Sequence, residues 1–187
     1  MNLRTCSSRL LALFVFATII MAANAAADEG DIEAGINAGA YVPLLSYSQT
    51  EKFHASPEFG YGILFGYDLT DQFAFEFNYL HAAGKADIGE GRSVGLVINE
   101  LMAGASWSIL TGPVRPRFLG GLDGQLLHAE RPVRSDNSFG FHFGLGLTGV
   151  LKPYLHVGIT ARYHYLFSNR FETDNAFSVL ATASFLF

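Results

Sequence analysis

This chain of 187 residues carries 12 Lys and Arg against 17 Asp and Glu, is 50% hydrophobic, and contains 17 Phe. A net charge of −5 with no basic cluster excludes a nucleic-acid binder, whose affinity comes from neutralising phosphates. A single cysteine excludes a disulfide framework, and no apolar run reaches the roughly 20 residues that a membrane-spanning helix needs.

The first element is an address. Arg4 and Arg9 lead into the apolar run Leu10 to Ala22, and Ala23-Asn24-Ala25 or Ala25-Ala26-Ala27 follows as a small-residue cleavage site. That order is a secretory signal peptide over residues 1–27, to be cleaved on export. Cys6 leaves with it and stands too early for a lipoprotein anchor. Residues 28–187 remain as one domain of 160 residues, with ten Lys and Arg against 17 acids and a net charge of −7.

Eight strands are expected next, over residues 31–44, 57–69, 72–82, 94–109, 114–127, 138–151, 154–167 and 176–187. Short turn signals at Thr70-Asp71-Gln72, Thr111-Gly112-Pro113 and Lys152-Pro153-Tyr154 have centres 41 residues apart. The longer polar stretches 45–56, 81–93, 128–137 and 168–175 alternate with them. Short turns at one end and long loops at the other are the pattern of an all-β, eight-stranded antiparallel up-and-down transmembrane barrel.

Period-two alternation sorts each strand into two faces. The second strand sets Phe59, Tyr61, Ile63, Phe65, Tyr67 and Leu69 against Glu58, Gly60, Gly62, Leu64, Gly66 and Asp68. The third sets Phe73, Phe75, Phe77 and Tyr79 against Ala74, Glu76 and Asn78. The sixth sets Phe139, Phe141, Phe143, Leu145 and Leu147 against glycines, His142 and Thr148. The fourth is less tidy, because Leu96 to Ile98 is apolar on both faces. Glycines and sparse charges suit a narrow lumen, so the bulky face should meet lipid. Tyr67, Trp107 and Tyr154 at one end, with Phe59, Tyr79 and Phe167 at the other, would form the interfacial girdles. Gly144 to Gly149 spells a dinucleotide fingerprint, but it lies inside an alternating strand with no helix after it.

The chain resembles the OmpA-like and OmpX-like small outer-membrane barrels. The stretches that carry the likeness are Gly66 to Phe73, Val114 to Leu122, Ala161 to Tyr165, and the closing strand that ends on Phe187. The resemblance covers the whole mature chain. It implies outer-membrane location with both termini periplasmic, and an assembly signal in Phe177, Phe185 and Phe187 read by the barrel assembly machinery. It also implies a lumen closed by ion pairs. No peptidoglycan-binding module follows the barrel, so no such tether is expected.

By the same alternation Glu33, Glu58, Asp68, Glu76, Glu100 and Asp123 point inward, with Arg115, Arg117, Arg162, His142, His156 and His164. They read as a polar network filling the lumen. The excess of acids keeps a narrow cation-preferring pore as the alternative. His54, His81 and His128 have no metal-ligand spacing, and neither metal nor cofactor is expected.

A second resemblance, to lipid A deacylase barrels, rests on Tyr163-His164-Tyr165-Leu166-Phe167-Ser168-Asn169. Three residues separate His164 from Ser168 where that family has one, Glu172 is the only nearby acid, and His164 turns inward where that family's His faces lipid. The reading is therefore a non-enzymatic, monomeric envelope protein. Its membrane partners are outer-membrane lipid and lipopolysaccharide, the latter through Arg131, Arg134 and Arg170 in the loops. An adhesin or receptor role through the loops is a further alternative.

Overall fold

The computed structural model describes residues 30–46, 54–55, 58–87, 93–129, 136–167 and 173–187. The expected signal peptide lies outside these residues. The strands are β1 (Ile32–Ser46), β2 (His54–Ala55), β3 (Glu58–Asp68), β4 (Phe73–Asp87), β5 (Ser93–Ser108), β6 (Val114–Ala129), β7 (Asp136–Lys152), β8 (Leu155–Phe167) and β9 (Thr173–Leu186).

Every pairing is antiparallel. The sheet runs β2-β4-β3-β1-β9-β8-β7-β6-β5, and a further β4–β5 ladder closes it into a barrel. β2 and β3 both pair with β4, His54 opposite Asp87 and Phe59 opposite Ala83, so they are two pieces of one stave. The barrel therefore has eight staves. The seam joins the first and last strands, from Glu33 opposite Leu186 to Ser46 opposite Thr173. Ile32 and Phe187 fasten its end with two backbone hydrogen bonds, of 3.0 and 2.9 Å.

Closure leaves no sheet edge, and every backbone donor in a lipid-facing wall must find its partner within the protein. The side chains follow the opposite logic to a soluble protein. Phe59, Phe143 and Leu145 on the outer wall are 66%, 57% and 59% exposed, while Glu100 and His164 are 0% exposed inside. Phe75 and Phe77 also stand on the outside. Cross-strand rings pair along this wall, Trp107 on Phe118 at 6.0 Å and Phe141 on Tyr165 at 5.2 Å, which stiffens the outer face.

Short connections define one end of the barrel. Between β3 and β4 the Thr70 hydroxyl accepts from the backbone of Gln72 and Phe73 at 3.3 and 3.0 Å, a side-chain turn that needs a Ser, Thr, Asn or Asp. Between β7 and β8 only Pro153 and Tyr154 intervene. The Lys152 ammonium there sits 5.6 Å from the Tyr154 ring centre. A β-bulge between Val150 and Lys152 absorbs the register change.

Curvature is bought with glycine on the inner face. Gly104 and Gly121 are opposite each other on β5 and β6. A Cβ on Gly104 would lie 2.4 Å from the Gly120 carbonyl oxygen, and one on Gly121 would lie 2.3 Å from that of Ala103. Gly144 and Gly146 lie within β7, which leaves no room for a dinucleotide loop there.

Several strands run past their expected ends, β4 furthest, and one short strand is unexpected. β4 continues to Asp87 instead of stopping near 82, and β2 occupies part of the expected loop 45–56. The sequence His81 to Asp87 is small and polar, which reads as loop. Its ladder with β5, Tyr79–Leu101 through Asp87–Ser93, nevertheless holds it extended. Lys85 there is exposed on the outer face. A barrel that projects beyond the membrane can show water a polar outer face while its ladder continues.

Candidate functional site: the filled lumen

The inner face is layered. At the turn end, Glu33, Arg117, Ser108, Thr148, His156 and Ser184 line the wall. Ser184 donates to Glu33 Oε1, and Arg115 Nε donates to the Gly112 carbonyl at 3.2 Å. Asp68 sits at this mouth, half-buried at the end of β3. A polar recess of about 20 Å³ remains between these groups, room for roughly one water.

Above it, Glu76 holds two guanidinium groups. Its Oε1 lies 2.9 Å from Arg117 Nη1 and its Oε2 lies 3.4 Å from Arg162 Nη2. Arg162 Nη1 also reaches the Met102 sulfur at 4.0 Å. Charges enclosed by a membrane barrel must be paired or wet, and Glu76 pairs both arginines.

The next layer is a carboxylate–imidazole cluster. Asp123 Oδ1 lies 2.5 Å from His142 Nδ1, and Asp123 Oδ2 lies 3.1 Å from His164 Nδ1. Glu100 Oε1 approaches the same His164 nitrogen at 3.1 Å. On the other side of the ring, His164 Nε2 is 2.9 Å from the Ser178 hydroxyl. Asn37 Nδ2 donates to Asn78 Oδ1 at 3.2 Å nearby.

At the loop end the lumen turns apolar. Tyr41, Leu80, Leu96, Ile98, Leu127 and Leu180 form a buried cluster across its width. This explains why Leu96 to Ile98 is apolar on both faces: Leu96 and Ile98 enter the cluster while Val97 between them stands on the outer, part-exposed face. Gln125 Nε2 donates to the Tyr41 hydroxyl at 2.7 Å through the same layer. Glu58 is also buried here, and both its carboxylate oxygens lack a hydrogen-bond partner among the described residues. Gly84 makes space for it, since a Cβ there would lie 2.7 Å from the Glu58 side chain.

Asp123, His164 and Ser178 follow one another in the contact order of an acid–base–nucleophile relay. Both His164 and Ser178 are 0% exposed, so no substrate reaches the hydroxyl in this conformation. Ser168 and Glu172, the partners suggested by the deacylase resemblance, lie outside the described residues, as do Arg131, Arg134 and Arg170. His81 belongs to the outer wall, where its Nδ1 lies 2.9 Å from Asn99 Oδ1 and its ring 5.2 Å from that of Tyr61. Phe177 and Phe185 face outward at the seam strand.

Besides Asn78, which the alternation already set on the inward face, the lumen is lined by the uncharged Asn37, Tyr41, Gln125, Ser178 and Ser184, which a search for charged residues alone leaves out. Their signal was in the chain: each shares parity with an inward Glu33, Glu76, Asp123 or Ala176 on its own strand. The apolar cluster left a weaker trace, the untidy alternation of β5.

A family profile described as "Outer membrane protein beta-barrel domain" matches residues 11–185. No curated protein matches by sequence. Among solved structures, Neisserial surface protein A aligns with a TM-score of 0.68 at 17% identity, over 85% of this chain and 100% of its own. The attachment invasion locus protein Ail of Yersinia pestis aligns with a TM-score of 0.60 at 13% identity, over 86% and 100%. OprG from Pseudomonas aeruginosa aligns with a TM-score of 0.58 at 10% identity, over 84% and 93%. At these identities the likeness is one of fold.

Proposed function

We propose that this chain, which belongs to the outer membrane protein beta-barrel domain family, serves the bacterial outer membrane as a closed, non-enzymatic barrel that supports envelope integrity. One observation carries the reading. The lumen is filled across its width by the Tyr41–Leu80–Leu96–Ile98 cluster, with paired charges stacked beneath it. A largely apolar layer, crossed by the Gln125–Tyr41 hydrogen bond, is a barrier to hydrated ions, and the Glu76 ion pairs beneath it brace staves on opposite sides of the lumen.

The non-enzymatic reading rests on the burial of Ser178 and His164, which separates the one relay-like contact from any substrate. The first strand begins and the last strand ends beside the short turns, since Ile32 and Phe187 meet at that end of the seam. Short turns face the periplasm in outer-membrane barrels, which supports periplasmic termini. Phe187, bonded to Ile32 across the seam, is suited to a role in closing the barrel during assembly. The protein acts as a monomer within outer-membrane lipid. Arg131, Arg134 and Arg170 serve as contacts for lipopolysaccharide phosphates, which guanidinium groups bind as forks.

Two measurements test this together. Planar-bilayer recording of the purified barrel is expected to stay silent, and a strain lacking the protein is expected to admit large hydrophilic antibiotics that the wild type excludes. Stepwise cation current would replace the structural reading with a pore. Intact exclusion combined with lost attachment to a host surface would replace it with an adhesin.

A further inference from the structure

The lumen holds a group of side chains that the ion pairs leave incomplete. The ion pairs of both arginines of the middle layer go to Glu76, Arg162 also touching the Met102 sulfur. Arg162 is near enough to Glu100 and Asp123 to attract them but forms no ion pair with either among the described residues. Glu100 and Asp123, whose side chains are 0% exposed, pair only with histidines among the described residues. His164 Nδ1 faces a carboxylate oxygen of each at 3.1 Å. A ring nitrogen carries one hydrogen at most, so it cannot satisfy both acceptors with good geometry. Glu100 is the loser: neither of its oxygens makes a hydrogen bond of acceptable geometry. A carboxylate buried with vacant lone pairs is costly, and such groups in folded proteins usually have an occupant.

The same atoms suit a cation. One donor atom each from Glu100, Asp123 and His164 lies within 4.8 Å of the others. Ligands about 2.0–2.2 Å from a common metal fall within that mutual separation. The surroundings already hold the ligands in orientation. His142 Nδ1 engages the second oxygen of Asp123, and Ser178 faces the far nitrogen of His164, where it would accept the Nε2 hydrogen and leave Nδ1 free to bind.

We infer that Glu100, Asp123 and His164 form a lumenal binding site for one divalent transition-metal cation. The donor set, one imidazole nitrogen with two carboxylates, selects Zn²⁺, Co²⁺, Mn²⁺ or Fe²⁺ over Mg²⁺ and Ca²⁺, which prefer all-oxygen shells. The cation replaces the single shared proton with a centre that reaches all three ligands. Since the ligands are sealed within the wall, the ion enters as the barrel closes, and the closed barrel holds it against chelators.

The test is refolding of the full barrel from urea into detergent with Zn²⁺ or Co²⁺, followed by passage over a chelating resin. Stoichiometric retained metal by mass spectrometry is expected, together with visible d–d absorption in the Co²⁺ form. Glu100→Gln, which conserves shape, is expected to abolish both, with folding confirmed by its gel shift. The triple variant His54→Ala, His81→Ala and His128→Ala is expected to keep both. A native barrel that retains no metal and shows no Co²⁺ band would overturn the inference. So would loss of metal in the triple variant alone. Should Glu100→Gln fail to fold, the Co²⁺ spectrum of the native barrel decides the matter by itself.

Discussion

Arg162 on β8 reaches Glu76 on β4 at 3.4 Å, and these two staves stand opposite each other in the ring. Four steps around the sheet separate them, so the ion pair is a strut across the lumen rather than a contact between neighbours. Arg117 on β6 joins the same carboxylate at 2.9 Å, which makes Glu76 the hub of three staves. Glu76→Ala strands the buried guanidinium of Arg162 and the part-buried one of Arg117 at once. Removing one partner of a buried pair costs about 3–5 kcal/mol, and that loss is expected in urea unfolding from phospholipid vesicles. Arg162→Met is expected to cost less, because Glu76 keeps Arg117.

The glycine pair on β5 and β6 makes a sharper prediction. Gly121→Ala places a methyl 2.3 Å from the Ala103 carbonyl oxygen and 2.5 Å from Gly104 Cα. Both are backbone atoms, so the staves must separate. Overpacking of this kind costs about 1–3 kcal/mol. Gly124 on the same strand has nothing within 4 Å of its absent Cβ, so Gly124→Ala is expected to change stability by no more than about 0.5 kcal/mol. Equal effects at both positions in the same unfolding assay would contradict the close approach of β5 and β6.

These cases also mark how far the sequence could be read. Glu76, Arg117 and Arg162 were assigned inward from parity alone, because a single residue's slip would have turned every Phe of β4 into the lumen. Which arginine meets which acid was not legible. Partners across the lumen depend on barrel shear, and no local pattern encodes it. The apolar cluster at the loop end was hidden for a related reason. Leu80, Leu96 and Leu180 come from β4, β5 and β9, and each alone looks like an ordinary lapse in alternation. The extension of β4 to Asp87 was missed because residues above the membrane no longer need an apolar outer face.

The outer wall can be probed by depth. Phe143 lies midway along β7, 57% exposed, and Leu151 lies beside the Pro153–Tyr154 turn, 63% exposed. Their exposure is alike, so a soluble surface would treat them alike. A lipid-facing wall would not. Phe143→Arg is expected to cost about 2–4 kcal/mol and Leu151→Arg about 0–1 kcal/mol, since the penalty for a charge falls from the bilayer midplane to the interface. Reversible unfolding in vesicles measures both, and the ordering is the point at issue.

Gln125 and Tyr41 are the second strut, joining opposite staves β6 and β1 at 2.7 Å within the apolar layer. Tyr41→Phe keeps the ring and leaves the Gln125 amide without this partner. A stability loss of about 1–3 kcal/mol is expected, the cost of a buried donor left unsatisfied. The layer's role as a barrier needs a different variant. Leu80→Ala, Leu96→Ala and Ile98→Ala together remove much of the hydrocarbon that closes the loop end, while the struts and the outer wall stay as they are. Water then reaches Glu100 and Asp123, whose negative charge favours cations. The triple variant is expected to give small cation-selective steps in planar bilayers where the native barrel gives none. Continued silence from a folded triple variant would mean that the ionic layers below are barrier enough, and the apolar layer would then be packing rather than a gate.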